Sequence, residues 1–198
     1  MSTTLTLTSE EQAMLDGEHG PAVAMCMRII VGVARANGAE KLIEIESAHA
    51  DGTLYHGEAG LDFTEKLVEL GGKVKVKTTT NVGSLDLLHP NLVHGDETLM
   101  SHGRRLMDAH IALGCEPTWS CAPYQAGHRP AFGTHVAWAE SNAIAFVNSV
   151  LGARSDRYGD FLDLSAAVTG RVPFGGLHHD AARKAVLVLD FSEIDSRM

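Results

Sequence analysis

Residues 20–46 read GPAVAMCMRIIVGVARANGAEKLIEIE, and the hydrophobic pattern of this stretch changes halfway along it. The first part is mostly apolar, carries a proline at Pro21 that suits the first turn of a helix, and ends at Gly38, which suits a left-handed terminus. Residues 42–46 then alternate apolar and acidic side chains, as a strand with one buried face does. A helix followed directly by a strand predicts an α/β domain.

Further helix signals lie on both sides of this stretch. Ser9 and Gln12 have the spacing of a capping box, which predicts that a helix begins at about Ser9. Apolar residues at helical spacing predict four more helices, and each series is followed by a glycine that would end it: residues 61–70, 96–113, 135–151 and 161–168.

Three other segments have the character of strands. Val74 and Val76 alternate with lysines, residues 117–123 suit a short strand leading into a loop, and residues 185–191 form an almost continuous apolar run that predicts a buried strand. Helices and strands therefore interleave along the chain. This order predicts a single α/β domain over residues 1–198, with a sheet covered on at least one face, and it leaves the strand order open.

The charge balance and the hydropathy bear on the class of partner. The chain has 16 Lys and Arg against 25 Asp and Glu, which gives a net charge of −9. Nucleic-acid-binding proteins rely on basic groups that neutralise phosphates, so we expect no nucleic-acid partner. The sequence begins without the basic and apolar regions of a secretory signal, and no apolar run is long enough to span a bilayer. We therefore expect a cytoplasmic protein with no membrane partner.

Polar side chains follow three of the predicted strands. They occur at Ser47 to His49, in the threonine-rich residues 78–81, and in residues 120–124. Ligand pockets of open α/β sheets form beyond the carboxyl ends of the strands. We therefore expect the three loops to line one pocket for a small molecule.

Cys121 lies in the third of these loops. The chain has 3 cysteines and no CxxC pair, so a disulfide framework or a four-ligand zinc site is not indicated. A thiolate binds iron strongly, whereas a lone cysteine is commonly a small buried side chain, and both interpretations stay open. A nucleophilic Cys121 with His128 or His135 as its base also stays open. The sequence has no GxGxxG, Walker or GxSxG motif, which excludes the common dinucleotide, nucleotide and α/β-hydrolase sites.

Several longer stretches resemble one known family. The most specific is WAESNAIAFVNSVLGAR at residues 138–154, within a similar stretch that starts at residue 128. Taken in order along the chain, these stretches resemble the amino-terminal part of the catalytic, or large, subunit of aconitase X. The others are LTLTSEEQAMLDGEHGPAVAMCMRII (5–30), IESAHADG (45–52), GEAGLDFTEKL (57–67), KVKVKTTTN (73–81), EPTWSCAPY (116–124) and AAVTGRVPFGGLH (166–178).

The resemblance implies an aconitase-like catalytic domain portion and a hydro-lyase activity. Members of the family dehydrate cis-3-hydroxy-L-proline or mevalonate 5-phosphate. They use an iron–sulfur cluster or iron held by cysteines, and a small swivelling subunit or domain contributes a serine base. For this chain we expect cis-3-hydroxy-L-proline as the small hydroxy-acid substrate. Mevalonate 5-phosphate is the alternative substrate, and a noncatalytic binding or regulatory fragment is the alternative of another class.

The resemblance also implies roles for particular residues. Cys121 in SCAPY matches a cysteine that holds the metal centre. The other matching positions lie near the substrate pocket of the family. They are His49 and Asn81 as catalytic residues and, as substrate-binding residues, Ser47, Glu140, Ser141 and Asn142.

Arg154 is a further candidate for substrate binding. It follows the predicted helix over residues 135–151, where its guanidinium could clamp a carboxylate or could simply interact with the helix dipole. The sequence departs from the family pattern at Val82, where we expect a proline, and it stops at Met198, whereas the catalytic subunit of the family is longer. We therefore expect the other cluster ligands to lie in the remainder of the catalytic subunit, and the isolated chain to be inactive.

Overall fold

The computed structural model describes residues 4–190, in which helices and strands are interspersed along the chain as the sequence predicts. The elements are, in chain order, α1 (Ser9–Asp16), α2 (Pro21–Ala36), β1 (Leu42–Glu44), β2 (Ser47–Ala50), α3 (Glu58–Glu69), β3 (Lys77–Thr80), α4 (Glu97–Ala112), β4 (Val136–Trp138), α5 (Ser141–Ser149), α6 (Asp160–Thr169) and β5 (Arg171–Pro173). Short 3₁₀ turns occur at Pro90–Leu92, Gly176–His178 and Ala181–Arg183. The α/β fold class is therefore confirmed.

The strands pair in two groups. β2 lies in the centre of a parallel sheet in the order β3-β2-β4, and β1 pairs with β5 in an antiparallel ribbon. In the parallel sheet, His49 lies opposite Thr79 on one side and Trp138 on the other. Because the three strands run in one direction, their carboxyl ends meet at the same edge of the sheet.

Helix α2 forms the centre of the main core. Met27, Ile30, Val31 and Ala34 recur at spacings of three and four residues, so they form one stripe along the helix, and each is at most 2% exposed. This stripe packs with residues of α6 and β2 in a single apolar cluster. Burying a large apolar side chain of this kind contributes about 1.5–3 kcal/mol. The α2 stripe therefore attaches one face of the sheet to the rest of the domain.

The amino terminus of α1 differs by one residue from the prediction. The N-cap is Thr8, whose hydroxyl accepts the backbone N–H of Glu11 at 3.2 Å, while the Glu11 carboxylate accepts the backbone N–H of Thr8 at 2.9 Å. The prediction that Ser9 and Gln12 form the capping box is therefore wrong. Threonine and glutamate form a capping box as well as serine and glutamine do, so the spacing alone did not distinguish the two frames.

This shift predicts a difference between two neighbouring substitutions. Thr8→Ala removes the N-cap and is expected to lower the free energy of unfolding by about 1 kcal/mol. Ser9→Ala is the matched control, because Ser9 lies in the first helical turn and its hydroxyl caps nothing. We expect it to leave the stability nearly unchanged. Urea denaturation of both variants measures the difference, and an equal loss in the two would contradict the Thr8 cap.

The predicted helix over residues 135–151 is wrong in its first half. Val136, Ala137 and Trp138 form β4, and the helix begins only at Ser141. All three residues of β4 are fully buried, so the strand shows no alternation of apolar and polar side chains. A short, continuously apolar strand cannot be distinguished from a helix turn by its period, and this explains the error.

Two of the predicted strands are wrong in position. Val74 and Val76 precede the strand, which starts at Lys77, and Val74 donates its N–H to the carbonyl of Leu113 outside the sheet. Residues 117–123 form no strand, although Glu116 bridges to Thr79 in a parallel sense. The threonines of β3 are buried, so polar residues that suggested a loop belong to the sheet interior.

The apolar run at residues 185–191 is not a buried strand where the structure describes it. Residues 185–190 have no regular secondary structure, and Val186 and Val188 are 98% and 88% exposed. Phe191 lies outside the described residues. The buried strand is predicted from hydropathy alone. Hydropathy reports that a segment is apolar, and not whether another element packs against it. Residues 4–190 contain no helix that is both long enough and apolar enough to cross a bilayer.

Candidate functional site

Three polar side chains meet at the carboxyl edge of the parallel sheet. Asp51 follows β2, Asn81 follows β3, and Glu140 follows β4 after one intervening alanine. We refer to Asp51, Asn81 and Glu140 as the strand-end cluster. This edge is where ligands bind in open α/β sheets. The residues after β2, β3 and β4 therefore converge at one edge and bring Asn81 and Glu140 together. Of the three loops expected from the sequence to line a pocket, only residues 78–81 contribute to this cluster.

Asn81 is the hub of the cluster and is fully buried. Its side-chain NH₂ donates to the carboxylate of Asp51 and to Oε2 of Glu140, the latter at 3.2 Å, and its Oδ1 accepts the backbone N–H of Val82 at 2.8 Å. An amide has two donor hydrogens, so both are committed to carboxyl groups. Asn81 therefore fixes the positions of two acidic side chains that would otherwise repel each other.

Asp51 was not among the predicted site residues. Burial is the main cause that raises the pKa of its carboxyl, and the charges of Glu140 and Asp160 raise it further, whereas the hydrogen bond from Asn81 opposes the shift. The signal that could have identified Asp51 is its position directly after β2. The sequence predicts a loop at Ser47 to His49 after a strand at residues 42–46, but these residues form a second strand, β2, and Asp51 lies beyond it.

A buried carboxyl group hydrogen-bonds to the backbone of the cluster residue Asp51. Asp163 in α6 is 1% exposed, and its Oδ2 accepts the backbone N–H of Asp51 at 2.7 Å. Burial raises the pKa of Asp163 well above its ordinary range. Helix α6 therefore holds the backbone at the end of β2 in place.

A cavity of about 270 Å³ is lined by neighbours of Asp51 and by none of the three cluster residues themselves. Gly52, Asp160 and Asp163 line it on the side of β2 and α6, and the first turn of α3 and His110 line the other side. A Cβ atom at position 52 would lie 3.2 Å from the Cβ of Asp160, so glycine leaves Asp160 in place where a larger residue would push it aside by a few tenths of an ångström. The volume is near the lower end of the range for ligand pockets and suits a small molecule.

His49, assigned to catalysis by resemblance, lies inside the sheet and not at its edge. Its Nδ1 is 2.9 Å from the hydroxyl of Thr79, which is in turn 2.8 Å from Nδ1 of His128. Burial lowers the pKa of His49 to about 3 and that of His128 to about 4. Both imidazoles are therefore neutral near pH 7.

Cys121 lies beside the end of β3. The preceding residue Ser120 donates its N–H to the carbonyl of Thr80 at 3.1 Å, and Trp119 adopts the left-handed region with φ of 43°. A bulky residue in that region is uncommon and marks a backbone held by its surroundings. Cys121 is partly exposed, and the residue before it hydrogen-bonds to the residue before Asn81.

The other two cysteines are poor ligand candidates. Cys26 and Cys115 are buried in apolar surroundings, and burial raises the pKa of each thiol to about 12. A metal-binding thiol has to lose its proton. Across residues 4–190, no three His, Cys, Asp or Glu side chains are grouped so that they could hold a metal ion. The described residues therefore do not form a complete iron or iron–sulfur site.

Two predicted residues lie at the opposite end of the sheet. Ser47 is the first residue of β2, and its buried hydroxyl has no partner in the described part of the chain. Arg154 bridges to His135 just before β4, forms an ion pair with Asp180 at 2.6 Å and donates to a backbone carbonyl. The structure therefore does not bring either residue together with Asn81.

Ser141 and Asn142 lie at the rim of the site. Both are exposed in the first turn of α5, and the hydroxyl of Ser141 donates to Oε1 of Glu140 at 3.1 Å. The serine therefore contributes to the position of the Glu140 carboxylate, and Asn142 remains accessible from solvent.

The alternative of a cysteine nucleophile gains no support from the hydrogen bonds. Nδ1 of His128 is occupied by Thr79, and Nδ1 of His135 is 2.9 Å from Nδ1 of His178. Among residues 4–190, no hydrogen bond joins Cys121 to either histidine. A nucleophile needs its base within hydrogen-bond reach.

Known proteins with similar sequences carry the same domain. Residues 4–181 match the model of the aconitase X first domain. The cis-3-hydroxy-L-proline dehydratase of Pseudomonas aeruginosa is 40% identical over 190 residues, which cover 96% of this chain and 33% of that protein. The large subunit of phosphomevalonate dehydratase from Thermococcus kodakarensis is 40% identical over 186 residues, covering 93% of this chain and 46% of that subunit.

A solved structure shows the same architecture. The holo form of aconitase X from Thermococcus kodakaraensis superposes with a TM-score of 0.82 at 40% identity, over 91% of this chain and 45% of that one. The chain thus spans about a third to a half of the length of these relatives. By the match of its sequence and its fold over nearly the whole described region, the chain belongs to the aconitase X family.

Proposed function

We propose that residues 1–198 form a single domain, the amino-terminal part of a catalytic subunit, in a hydro-lyase that eliminates water from a small hydroxy acid. The observation that carries this proposal is the pair of carboxyl groups that Asn81 holds at the carboxyl edge of the sheet. An elimination of water needs a proton for the departing hydroxide, and the raised pKa of Asp51 favours its protonated form.

Within this proposal the cluster residues divide the work. Asp51 donates the proton to the leaving hydroxyl, and Glu140 is the second carboxyl group that Asn81 holds. Asn81 is a positioning residue for both, because its amide hydrogens are the contacts that join them. Ser141 and Asn142 bind the substrate from the rim. His49, in the interior of the sheet, stays a predicted catalytic residue. Ser47 and Arg154, at the far end of the sheet, stay predicted substrate-binding residues.

The charge at the site favours cis-3-hydroxy-L-proline over mevalonate 5-phosphate. In residues 4–190, neither lysine nor arginine hydrogen-bonds to Asp51, Asn81 or Glu140, and Asp160 adds further negative charge nearby. A phosphate would be repelled by the same neighbouring carboxylates that raise the pKa of Asp51, whereas the secondary ammonium of hydroxyproline would be attracted to them. The similar phosphomevalonate dehydratase subunits keep the phosphate ester as the second candidate.

The proposal includes an iron-containing centre that is completed outside the described residues. Cys121 provides one thiolate beside the cluster, and the other ligands come from the remainder of the catalytic subunit. Iron bound there would act as a Lewis acid on the substrate hydroxyl. The relatives named as large subunits imply a small-subunit partner, to which we assign the base that removes the carbon-bound proton.

Assaying both substrates with the assembled enzyme tests the proposed function. We expect turnover of cis-3-hydroxy-L-proline and little or none of mevalonate 5-phosphate, because the carboxylates of the cluster disfavour a dianionic phosphate. Product formation is followed by mass spectrometry, with the trans isomer of hydroxyproline as a stereochemical control. Turnover of the phosphate ester alone would refute the substrate assignment, and turnover of neither would favour the noncatalytic alternative.

A further inference from the structure

The interior of the parallel sheet contains a continuous hydrogen-bonded chain of three side chains. The hydroxyl of Thr79 on β3 lies 2.9 Å from Nδ1 of His49 on β2 and 2.8 Å from Nδ1 of His128 in the loop before β4. All three residues are at most 4% exposed. The proposed dehydration assigns no task to Thr79 or His128.

The hydrogens of this chain can be counted. A threonine hydroxyl has one hydrogen to donate and lone pairs to accept, and a neutral imidazole has one protonated and one bare nitrogen. Near pH 7 both rings are neutral, because burial lowers the pKa of His49 to about 3 and of His128 to about 4. The three groups therefore share three mobile hydrogens.

Only one kind of hydrogen placement satisfies both short contacts, and it can run in either direction along the chain. If both rings were protonated at Nδ1, the Thr79 hydrogen would have no acceptor, since the described residues offer its hydroxyl no third partner. If both Nδ1 atoms were bare, the single hydroxyl hydrogen would serve one ring and leave a lone pair facing oxygen at the other. A buried polar group left without a partner costs about 1–3 kcal/mol. The favoured pattern has one ring donating to Thr79 while Thr79 donates to the other.

We infer that Thr79 couples His49 and His128 into a neutral proton relay, in which the Nε2 of one ring carries a hydrogen only when the Nε2 of the other ring is bare. The chain has a mirror-image second state. A proton that arrives at the bare Nε2 moves the Nδ1 hydrogen of that ring to Thr79. The hydroxyl hydrogen passes to Nδ1 of the other ring, which releases its Nε2 hydrogen. Three hydrogens are present before and after, and no net charge remains.

The outer ends of the relay are buried and make no hydrogen bond within the described residues. Nε2 of His49 and Nε2 of His128 are buried and have no hydrogen-bond partner in the described part of the chain. Both rings contact Trp138, with ring centroids 5.9 Å and 5.0 Å away, and the indole N–H is likewise without a partner. Unpartnered buried nitrogens of this kind are uncommon in folded proteins, and at the two ends of one hydrogen-bonded chain they are where a proton would enter and leave the relay. Thr79 is thus a positioning residue that fixes which nitrogen is basic.

Nuclear magnetic resonance of the full chain with ¹⁵N-labelled histidine tests the relay. Long-range ¹H–¹⁵N spectra near pH 7 report the fraction of each ring that is protonated at Nδ1. We expect the fractions for His49 and His128 to add to one. Equal tautomers in both rings, with each fraction near zero or each near one, would overturn the relay. The readout needs neither substrate nor partner subunit, so its failure is distinguishable from failure of the proposed function.

Substitutions of neighbouring threonines provide matched controls. Thr79→Val removes the shared hydroxyl and is expected to abolish the complementarity, and Thr79→Ser is expected to restore it. Thr78→Val removes a buried hydroxyl of the same strand that donates to the carbonyl of Val76, and it should leave both tautomers unchanged. Unchanged tautomers in Thr79→Val would refute the coupling. If Thr79→Val does not fold, the unsubstituted chain and Thr79→Ser decide the question by themselves.

Discussion

Asp51→Asn is expected to lower kcat of the assembled dehydratase by about 10²- to 10⁴-fold, the usual contribution of a general acid. The amide keeps the size of the side chain and can still contact Asn81, but it cannot donate a proton to the leaving hydroxide. Steady-state kinetics with cis-3-hydroxy-L-proline measure the loss. KM should change much less than kcat, because the proton is transferred only in the reaction step.

The pH profile adds a readout that a structural defect would not produce. Because burial and nearby carboxylates raise the pKa of Asp51, the protonated acid is present below that pKa and is lost as the pH rises through it. The unsubstituted enzyme should therefore lose kcat on this alkaline limb, and Asp51→Asn should lack the limb. Asp62→Asn, on the exposed side of α3, is the control that should change neither quantity. An unchanged kcat in Asp51→Asn would exclude Asp51 as the acid.

Cys121→Ser is expected to remove most of the iron from the assembled enzyme and to abolish its activity. A serine hydroxyl is a far weaker ligand for iron than a thiolate. Since Cys121 lies partly exposed in a loop, the fold should persist, with a free energy of unfolding close to that of the unsubstituted enzyme. Anaerobic purification followed by iron and sulfide analysis measures the metal content.

Cys115→Ser is the matched control for this substitution. Cys115 is 4% exposed in an apolar cluster, so a hydroxyl there is expected to cost about 1–3 kcal/mol of stability while iron is retained. Full iron content in Cys121→Ser would refute its assignment as a ligand. Loss of iron in both variants would instead indicate that the two cysteines bind the metal together.

The helices could be predicted from the sequence because their ends are marked by residues with strong local preferences. Pro21 at the start of α2 and Gly170 after α6, with φ of 67°, act on the backbone where they stand and need no partner elsewhere in the chain. The strands could not be placed as well. β4 is buried on all sides, so its period is hidden, and the apolar residues before β3 drew the prediction away from its threonines.

The position of the candidate site could be predicted better than its membership. The rule about strand ends predicts Asn81 at the pocket, whereas Glu140 came only from the family resemblance, because residues 135–151 were predicted to form one helix. Asp51 was missed because the predicted strand ends at Glu46, whereas β2 continues to Ala50. The link of His49 through Thr79 to His128 joins residues 30 and 49 positions apart, and hydrogen bonds at such separations leave no periodic trace in a sequence.

The exposed apolar segment at residues 186–189 affects how the chain behaves when it is concentrated. These four residues are aliphatic, uncharged and at least 63% exposed. Two of them are valines, which have a high propensity for β-strands. Segments of this composition can stack against copies of themselves in a cross-β arrangement. Self-association through this segment would then increase with the protein concentration, and light scattering over a concentration series would measure it. A charged residue at Val188 would act as a gatekeeper against this stacking.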